Sequence, residues 1–161
     1  MARGIKACVK LRGALPAALP LLALIMSSCG REIAETRPPV TPATTGAILG
    51  EVSYPSEYLP AQRIVAYDAD TMHPVRSIDT GYGQSDYMLV LPPGSYCIIS
   101  YSLDPGHEEL AGAYSNCAAA GCVYGNDDHS LITVTVEAGD TLGGIDPADW
   151  YAPMGTYPER P

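Results

Sequence analysis

A Pro-Pro-Gly tripeptide lies between two runs of alternating large apolar residues in the segment MLVLPPGSYCIISY, Met88 to Tyr101. Pro92 has no backbone N–H, so it ends the strand that precedes it. Pro93 and Gly94 suit the central positions of a type II turn, in which the proline presets φ and the glycine takes a positive φ. The sequence therefore predicts two strands joined by a sharp reversal. It leaves open whether the second strand pairs with the first or crosses to a facing sheet.

Short segments with the same alternation recur along the C-terminal two-thirds of the chain, separated by turn residues. They are Ala47–Tyr54, Arg63–Ala69, Val75–Asp79, Tyr87–Leu91, Tyr96–Ser100, Leu131–Glu137 and, more weakly, Thr141–Ile145. About seven short strands of this kind predict an all-β fold, a single β-sandwich. No segment has the period of a helix of ordinary length, and His107–Tyr114 is expected to form one or two helical turns at most.

The N-terminus has the composition of an export signal. Four basic residues precede an apolar run from Ala14 to Met26, and two serines then lead to Cys29. A short apolar run after a basic start is typical of a secretory signal and is too short for a permanent membrane helix. We therefore predict that residues 1–28 are a signal peptide.

The segment MSSC, Met26 to Cys29, resembles the lipobox of bacterial lipoproteins, in which the cysteine is acylated and becomes the new N-terminus. The resemblance implies lipidation at Cys29 and a partner membrane that holds the protein through its acyl chains, because several chains on one residue anchor stably. The alternative is an ordinary secretory signal with a chance cysteine. Residues 29–45 are rich in Pro and Thr and are predicted to be a disordered, semi-extended tether or, alternatively, a leader with no spacing role.

Charge limits the partners of the mature chain. Without residues 1–28 it has five arginines and no lysine against 18 acidic residues, a side-chain balance of −13. Such a surface repels phosphate backbones, which excludes nucleic acid as a partner. It suits a protein of the cell envelope that faces outside the cytoplasm.

Three cysteines remain in the predicted mature domain. Exported compartments permit disulfides, and the four small residues Ala118–Gly121 let Cys117 and Cys122 approach to bridging distance. We predict this bridge and expect Cys97, within an apolar strand, to be a small buried residue. A zinc site is not expected, because the sequence offers no second ligand pair at close spacing.

Several motifs together resemble the carboxypeptidase regulatory-like domain. They are the Gly-rich strand at Gly46 to Tyr54, the segment VAYD at Val65 to Asp68 in place of the family's V-x-A-x-D strand, L-P-P-G-x-Y at Leu91 to Tyr96, and a closing pair within Val134 to Asp146. The resemblance implies a transthyretin-like sandwich over residues 46–146 and a generally non-catalytic role in stabilising or displaying other modules. The long segment 102–130 and the tail 146–161 depart from the family pattern. With that tail, the predicted domain is 46–161.

Two segments carry candidate binding residues. Asp127, Asp128 and His129 offer carboxylate and imidazole ligands for a metal, but we expect these residues to form an Asx turn that leads into the next strand and to hold no metal. Trp150 and Tyr151 offer an aromatic platform for an extracellular glycan or protein, whereas the alternative is that the Pro-rich tail packs across a sheet with Trp150 as its anchor. No cofactor is expected.

Motifs of common hydrolases are missing from the sequence, which contains neither G-x-S-x-G nor H-E-x-x-H. We therefore expect a non-catalytic, membrane-anchored surface lipoprotein that acts as a structural or binding module. One alternative is a carbohydrate-binding module. A second is a small hydrolase that uses Cys97 or His129.

Overall fold

The computed structural model describes residues 44–122 and 128–161. These residues form two β-sheets, which confirms the predicted all-β sandwich. The strands are β1 (Gly46–Glu51), β2 (Gln62–Asp68), β3 (Pro74–Asp79), β4 (Asp86–Leu91), β5 (Gly94–Ser102), β6 (Ala111–Ala113), β7 (Val134–Val136) and β8 (Thr141–Leu142), and one helix, α1 (Asn116–Ala120), lies between β6 and β7. The first sheet has the order β4-β1-β8, and the second has the order β3-β2-β5-β6, with β7 also paired to β5.

Strand alternation decides which side chains fill the space between the sheets. In β4, Tyr87, Leu89 and Leu91 are buried while the residues between them are exposed. Because successive side chains point to opposite faces, one face of β4 enters the core while the other faces solvent. The core between the sheets contains buried residues from both of them, including Ile48, Ile64 and Ile98 together with Val134 and Val136.

At the Pro-Pro-Gly segment the chain crosses from one sheet to the other. β4 ends at Leu91 in the three-stranded sheet, and β5 begins at Gly94 in the five-stranded sheet. The predicted type II turn is wrong, because Gly94 is not among the glycines with positive φ.

Close packing of the Tyr96 side chain explains why residue 94 is a glycine. A Cβ on Gly94 would lie 2.8 Å from the Tyr96 hydroxyl oxygen and 3.0 Å from the adjoining ring carbon. The same hydroxyl donates a hydrogen bond to the Pro92 carbonyl at 2.8 Å. Pro92, Gly94 and Tyr96 thus form one unit in which the tyrosine ring folds back over the glycine and fastens the corner.

The segment between β5 and β7 differs most from expectation. His107–Tyr114 does not form a helix; it contains β6, which pairs with Tyr101 and its neighbours in β5. The helix lies just beyond, at Asn116–Ala120, where Ser115 accepts a hydrogen bond from the Ala118 N–H as its N-cap. The predicted strand Leu131–Glu137 is shorter than expected and includes only Val134–Val136.

The outer face of the five-stranded sheet has a second buried cluster, centred on Val65, Tyr67, Ile99, Tyr101 and Ala113. The C-terminal tail lies on this cluster. Tyr101 donates a hydrogen bond to the Pro158 carbonyl at 2.8 Å, and Arg160 donates one to the Ser102 carbonyl at 2.8 Å. The tail therefore covers the outer face of the sheet over β2, β5 and β6, whereas the edge strand β3 is exposed along its whole length.

The predicted signal peptide, the lipidation site Cys29 and the tether up to residue 43 lie outside the described residues. Within residues 44–122 and 128–161, no helix has the length and apolar character that crossing a membrane requires.

Candidate functional site

Four aromatic side chains form a continuous row, which we call the aromatic row: Trp150, Tyr54, Tyr58 and Tyr82. The Trp150 and Tyr54 rings meet edge to face with centroids 5.2 Å apart. Tyr54 and Tyr58 follow at 5.9 Å, and Tyr58 stacks on Tyr82 at 6.0 Å with only 12° between the ring planes. Tyr82 is 73% exposed and Tyr58 is 39% exposed. The row therefore runs from a packed ring at Trp150 to an open ring at Tyr82.

Sheet register brings these residues to one end of the sandwich. Glu51, the last residue of β1, is paired with Asp86, the first residue of β4. Gln62, the first residue of β2, is paired with Ser102, the last residue of β5. The loops 52–61, 80–85 and 103–110 consequently emerge at the same end.

A buried polar network fixes two of these loops. The Gln62 side chain donates to the Ser53 carbonyl at 2.8 Å and accepts from the Ser100 hydroxyl at 2.6 Å. The Gln62 N–H donates to the Thr80 hydroxyl at 3.0 Å. Buried polar groups that are fully hydrogen-bonded restrict the backbone around them. Gln62 therefore holds the loops that carry Tyr54 and Tyr82 in register.

Acidic and basic groups flank the middle of the row. The Tyr58 hydroxyl donates to the Asp104 carboxylate at 2.7 Å, and His107 Nδ1 lies 3.5 Å from the same carboxylate. The hydrogen bond to Asp104 raises the pKa of Tyr58 to about 12, so its hydroxyl stays protonated. The row thus combines apolar ring faces with polar groups at its side, as sites for amphipathic ligands do.

Of the two predicted platform residues, Trp150 joins the aromatic row and Tyr151 does not. Trp150 lies against β6, where a Cβ on Gly112 would come 2.5 Å from the indole ring. Its indole N–H is buried without a hydrogen-bond partner among the described residues. Tyr151 is 65% exposed and takes no part in the three ring contacts within residues 44–122 and 128–161.

Tyr54, Tyr58 and Tyr82 were not predicted as site residues. A signal for two of them was present, since Tyr58 lies in the turn-rich segment PSEYLP and Tyr82 lies in TGYGQSD, whereas Tyr54 ends the predicted strand Ala47–Tyr54. Aromatic residues inside predicted loops have no strand face to fill, and binding residues concentrate on loops.

A groove of about 510 Å³ begins at Trp150 and continues along the tail. Its other walls come from the loop before β6, at Glu108 and Glu109, and from Met154, Tyr157 and Glu159 of the tail. Trp150 is common to the groove and the aromatic row, so the two features adjoin.

A second cluster surrounds Asp149, which is fully buried. Its Oδ2 accepts hydrogen bonds from the Ser115 hydroxyl at 2.7 Å, from the Tyr157 hydroxyl at 2.6 Å and lies 2.8 Å from His129 Nδ1. The Asp149 backbone also exchanges two hydrogen bonds with Ala113 at the end of β6. The cluster ties the tail to α1 and to the segment that follows residue 127.

Two opposing effects determine the pKa of Asp149. Burial raises the pKa, while the hydrogen bonds from Tyr157, Ser115 and His129 lower it, and the net pKa lies below the ordinary value. Burial, followed by the hydrogen bond to this carboxylate, raises the pKa of Tyr157. Asp149 is therefore an ionised acceptor at neutral pH, and Tyr157 is a neutral donor.

Ser115, His129 and Asp149 are the residue types of a catalytic triad, but their arrangement differs. In a triad the histidine lies between serine and aspartate and takes the serine proton. Here the Ser115 hydroxyl donates directly to Asp149 and accepts from the Ala118 N–H. The hydroxyl therefore uses both its donor and an acceptor position in hydrogen bonds that stabilise the fold.

Cys97 is free and buried, as predicted. Burial raises the pKa of its thiol, with a hydrogen bond to Thr133 opposing the shift. Because the thiolate is the nucleophilic form, this environment disfavours the cysteine chemistry that the hydrolase alternative needs.

The three candidate metal ligands do not share one set of contacts. Asp127 lies outside the described residues. Asp128 accepts hydrogen bonds from the Asn116 amide at 2.9 Å and the Ser130 N–H at 3.1 Å, while His129 contacts Asp149. The expectation that Asp127, Asp128 and His129 together hold no metal stays a prediction.

The disulfide between Cys117 and Cys122 is confirmed, with Cα atoms 4.6 Å apart. Cys117 lies within α1 and is buried, and Cys122 follows the left-handed C-cap residue Gly121. Cys122 Sγ lies 3.7 Å from Asp149 Oδ1. The disulfide therefore packs directly against the buried carboxylate.

The chain matches no protein-family model, no curated protein and no solved structure. The resemblance to the carboxypeptidase regulatory-like domain accordingly stays a hypothesis carried by its motifs.

Proposed function

We propose that this protein is a non-catalytic, membrane-anchored lipoprotein of the cell envelope, and that its sandwich is a carbohydrate-binding module whose binding surface is the aromatic row. The observation that carries the binding hypothesis is the continuous row of ring contacts from Trp150 to Tyr82 at one end of the sandwich. The basic start, the apolar run and the MSSC motif support the anchor at Cys29.

A neutral, extended glycan suits the chemistry of this surface. Sugar rings present C–H groups on one face, which pack on aromatic rings, and hydroxyl groups at their edges, which need hydrogen-bond partners. Asp104 and His107 provide such partners beside Tyr58. The predicted mature balance of −13 disfavours polyanionic ligands by repulsion.

The surroundings of the potential nucleophiles support a non-catalytic role. Cys97 is buried with a raised thiol pKa, and the Ser115 hydroxyl caps α1 and binds Asp149. Both groups are buried, so neither is presented to a substrate. This weakens the hydrolase alternative.

The binding hypothesis is tested by sedimenting the full chain with insoluble cellulose, chitin and peptidoglycan sacculi, followed by calorimetry with soluble oligomers of the polymer that retains it. Removing the exposed ring at the open end of the row by Tyr82→Ala should weaken binding about tenfold, since loss of an aromatic ring that packs on the ligand costs roughly 1–2 kcal/mol. Tyr151→Ala is the matched control, because it removes an exposed tyrosine outside the aromatic row. Equal losses in both variants would point to the tail, and retention by none of the polymers would refute glycan binding.

The anchor is tested separately by intact mass spectrometry of the membrane fraction. The mature protein should begin at Cys29 and carry the mass of acyl chains, and Cys29→Ser should release it into the soluble fraction. A mature species without acyl mass would remove the lipoprotein hypothesis and leave the binding hypothesis untouched.

A further inference from the structure

Four side chains with metal-binding donor atoms converge beside α1, independently of what the aromatic row binds. The ligand atoms of Cys117, His129 and Asp149 all lie within 4.8 Å of one another. Cys122 Sγ lies 3.7 Å from Asp149 Oδ1. Because the four residues are spread over 33 positions of the sequence, it is the fold that brings His129 and Asp149 to the two cysteines as a second pair of ligands.

We propose that the dithiol form of this cluster binds a thiophilic divalent cation, with Zn²⁺ as the best fit, through Cys117, Cys122, His129 and Asp149. Two thiolates, one imidazole and one carboxylate make a four-donor set that suits tetrahedral Zn²⁺. Calcium and magnesium prefer oxygen ligands only, so the two sulfurs select against them.

The present geometry is close to what such a site needs. Zinc bonds of about 2.0–2.3 Å place tetrahedral ligand atoms roughly 3.3–3.8 Å apart, against the 4.8 Å limit within which three of the donors already lie. The two sulfurs must separate when the disulfide opens. Cys122 follows Gly121, whose φ of 86° ends α1, so the end of the helix can absorb this small movement.

Hydrogen bonds from neighbouring side chains hold the Asp149 carboxylate in place, as they commonly do for carboxylates that bind a metal. Its Oδ2 accepts hydrogen bonds from Ser115 and Tyr157, while Oδ1 accepts one longer hydrogen bond from the Tyr151 N–H at 3.4 Å and is the oxygen that Cys122 contacts. A carboxylate oxygen has a second lone pair, so Oδ1 can also bind the cation. Hydrogen bonds to a ligating carboxylate orient it and tune the metal. An imidazole nitrogen of His129 would exchange its contact with Asp149 for a bond to the cation.

The disulfide and the bound cation exclude each other. A dithiol reductant delivers two electrons and two protons to the Cys117–Cys122 bond, which yields two thiols while the reductant becomes a disulfide. Binding of Zn²⁺ then displaces the two thiol protons to solvent. The redox state of this one bond therefore determines whether the site exists.

The test uses the full chain in two forms, oxidised and reduced, the latter freed of reductant under anaerobic conditions. Co²⁺ serves as the optical probe, followed by displacement with Zn²⁺ and competition against a chromophoric chelator. The reduced protein should bind one Co²⁺ with thiolate-to-metal charge-transfer absorption that Zn²⁺ abolishes, and the oxidised protein should show none. Equal binding by both forms would overturn the proposal.

Variants assign the ligands. Cys122→Ser and His129→Ala should each weaken Zn²⁺ binding at least tenfold, whereas Cys97→Ser, which removes the buried free thiol, should leave it unchanged. X-ray absorption of the Zn²⁺-loaded reduced wild type needs no variant to fold, and it should report two sulfur ligands. One sulfur or none, or full affinity in Cys122→Ser, would refute the site.

Discussion

Replacing Asp149 with asparagine tests how much the fold depends on one buried charge. Asp149 is fully buried, and its Oδ2 is the shared partner of Ser115, Tyr157 and His129. The substitution keeps the size of the side chain and removes its charge. It also turns one of the two acceptor oxygens into a donor.

The expected loss of stability follows from the three contacts that Asp149 Oδ2 makes. A hydrogen bond to a charged group contributes roughly 1.5–3 kcal/mol, and such contributions do not add when the donors share one oxygen. Asparagine retains one acceptor, so part of the network survives. Losing one or two of these bonds and leaving a buried hydroxyl without its acceptor should therefore cost roughly 2–4 kcal/mol. That is a large share of a typical total of about 5–15 kcal/mol, so the variant should stay folded in water but unfold at a clearly lower urea concentration.

Urea unfolding monitored by fluorescence of the single tryptophan measures this loss as a lower midpoint at constant slope. Asp146→Asn is the matched control, because that carboxylate accepts a hydrogen bond from the Glu51 N–H outside the cluster. The control should lose about 1 kcal/mol or less. If Asp149→Asn lost no more than the control, the tail would not depend on this carboxylate, and the account of the cluster would be wrong.

Three further predictions concern stability. Gly94→Ala should cost about 1–2 kcal/mol because its Cβ meets the buried Tyr96 ring, and the cost should shrink in a Tyr96→Phe background, where the nearest atom is gone; an equal cost in both backgrounds would contradict this contact. Reduction of the Cys117–Cys122 bond, without added metal, should lower the free energy of unfolding by about 2 kcal/mol, the value for a loop this short; an unchanged urea midpoint would contradict it. Because the pKa of Asp149 is lowered in the folded state, the stability that its ionised form contributes is complete above the ordinary pKa near 4 and is lost as pH falls through the folded pKa. The free energy of unfolding, measured at a series of acid pH values, should therefore fall below about pH 4, and it should fall less steeply in Asp149→Asn.

Local patterns predicted the elements whose cause is local. The alternation of Tyr87 to Leu91 predicted β4 because a period of two follows from strand geometry alone. The Cys117–Cys122 bridge was predictable because small residues separate the two cysteines. The segment Ala111–Ala113 was not recognised as a strand, because its Ala-Gly-Ala sequence has no alternation and it becomes β6 through pairing with β5.

The candidate sites were less predictable, since each depends on contacts between distant segments. Trp150 was a candidate from its type, but its partners Tyr54, Tyr58 and Tyr82 come from loops that only the strand register brings to one end. Zinc was not expected at Cys117 and Cys122, because His129 and Asp149 reach them only when the tail returns to β6.

By itself, the sequence determined that the chain forms short strands, where the Pro-Pro-Gly corner ends one of them, and which two cysteines pair, because steric limits and side-chain alternation act over a few residues. Only the tertiary structure decided that β5 crosses to the facing sheet, that Gly94 is required by the Tyr96 ring, and that the tail lies over the outer apolar face. These outcomes depend on burying apolar surface and satisfying buried polar groups such as Asp149, and both requirements are met by partners far away along the chain.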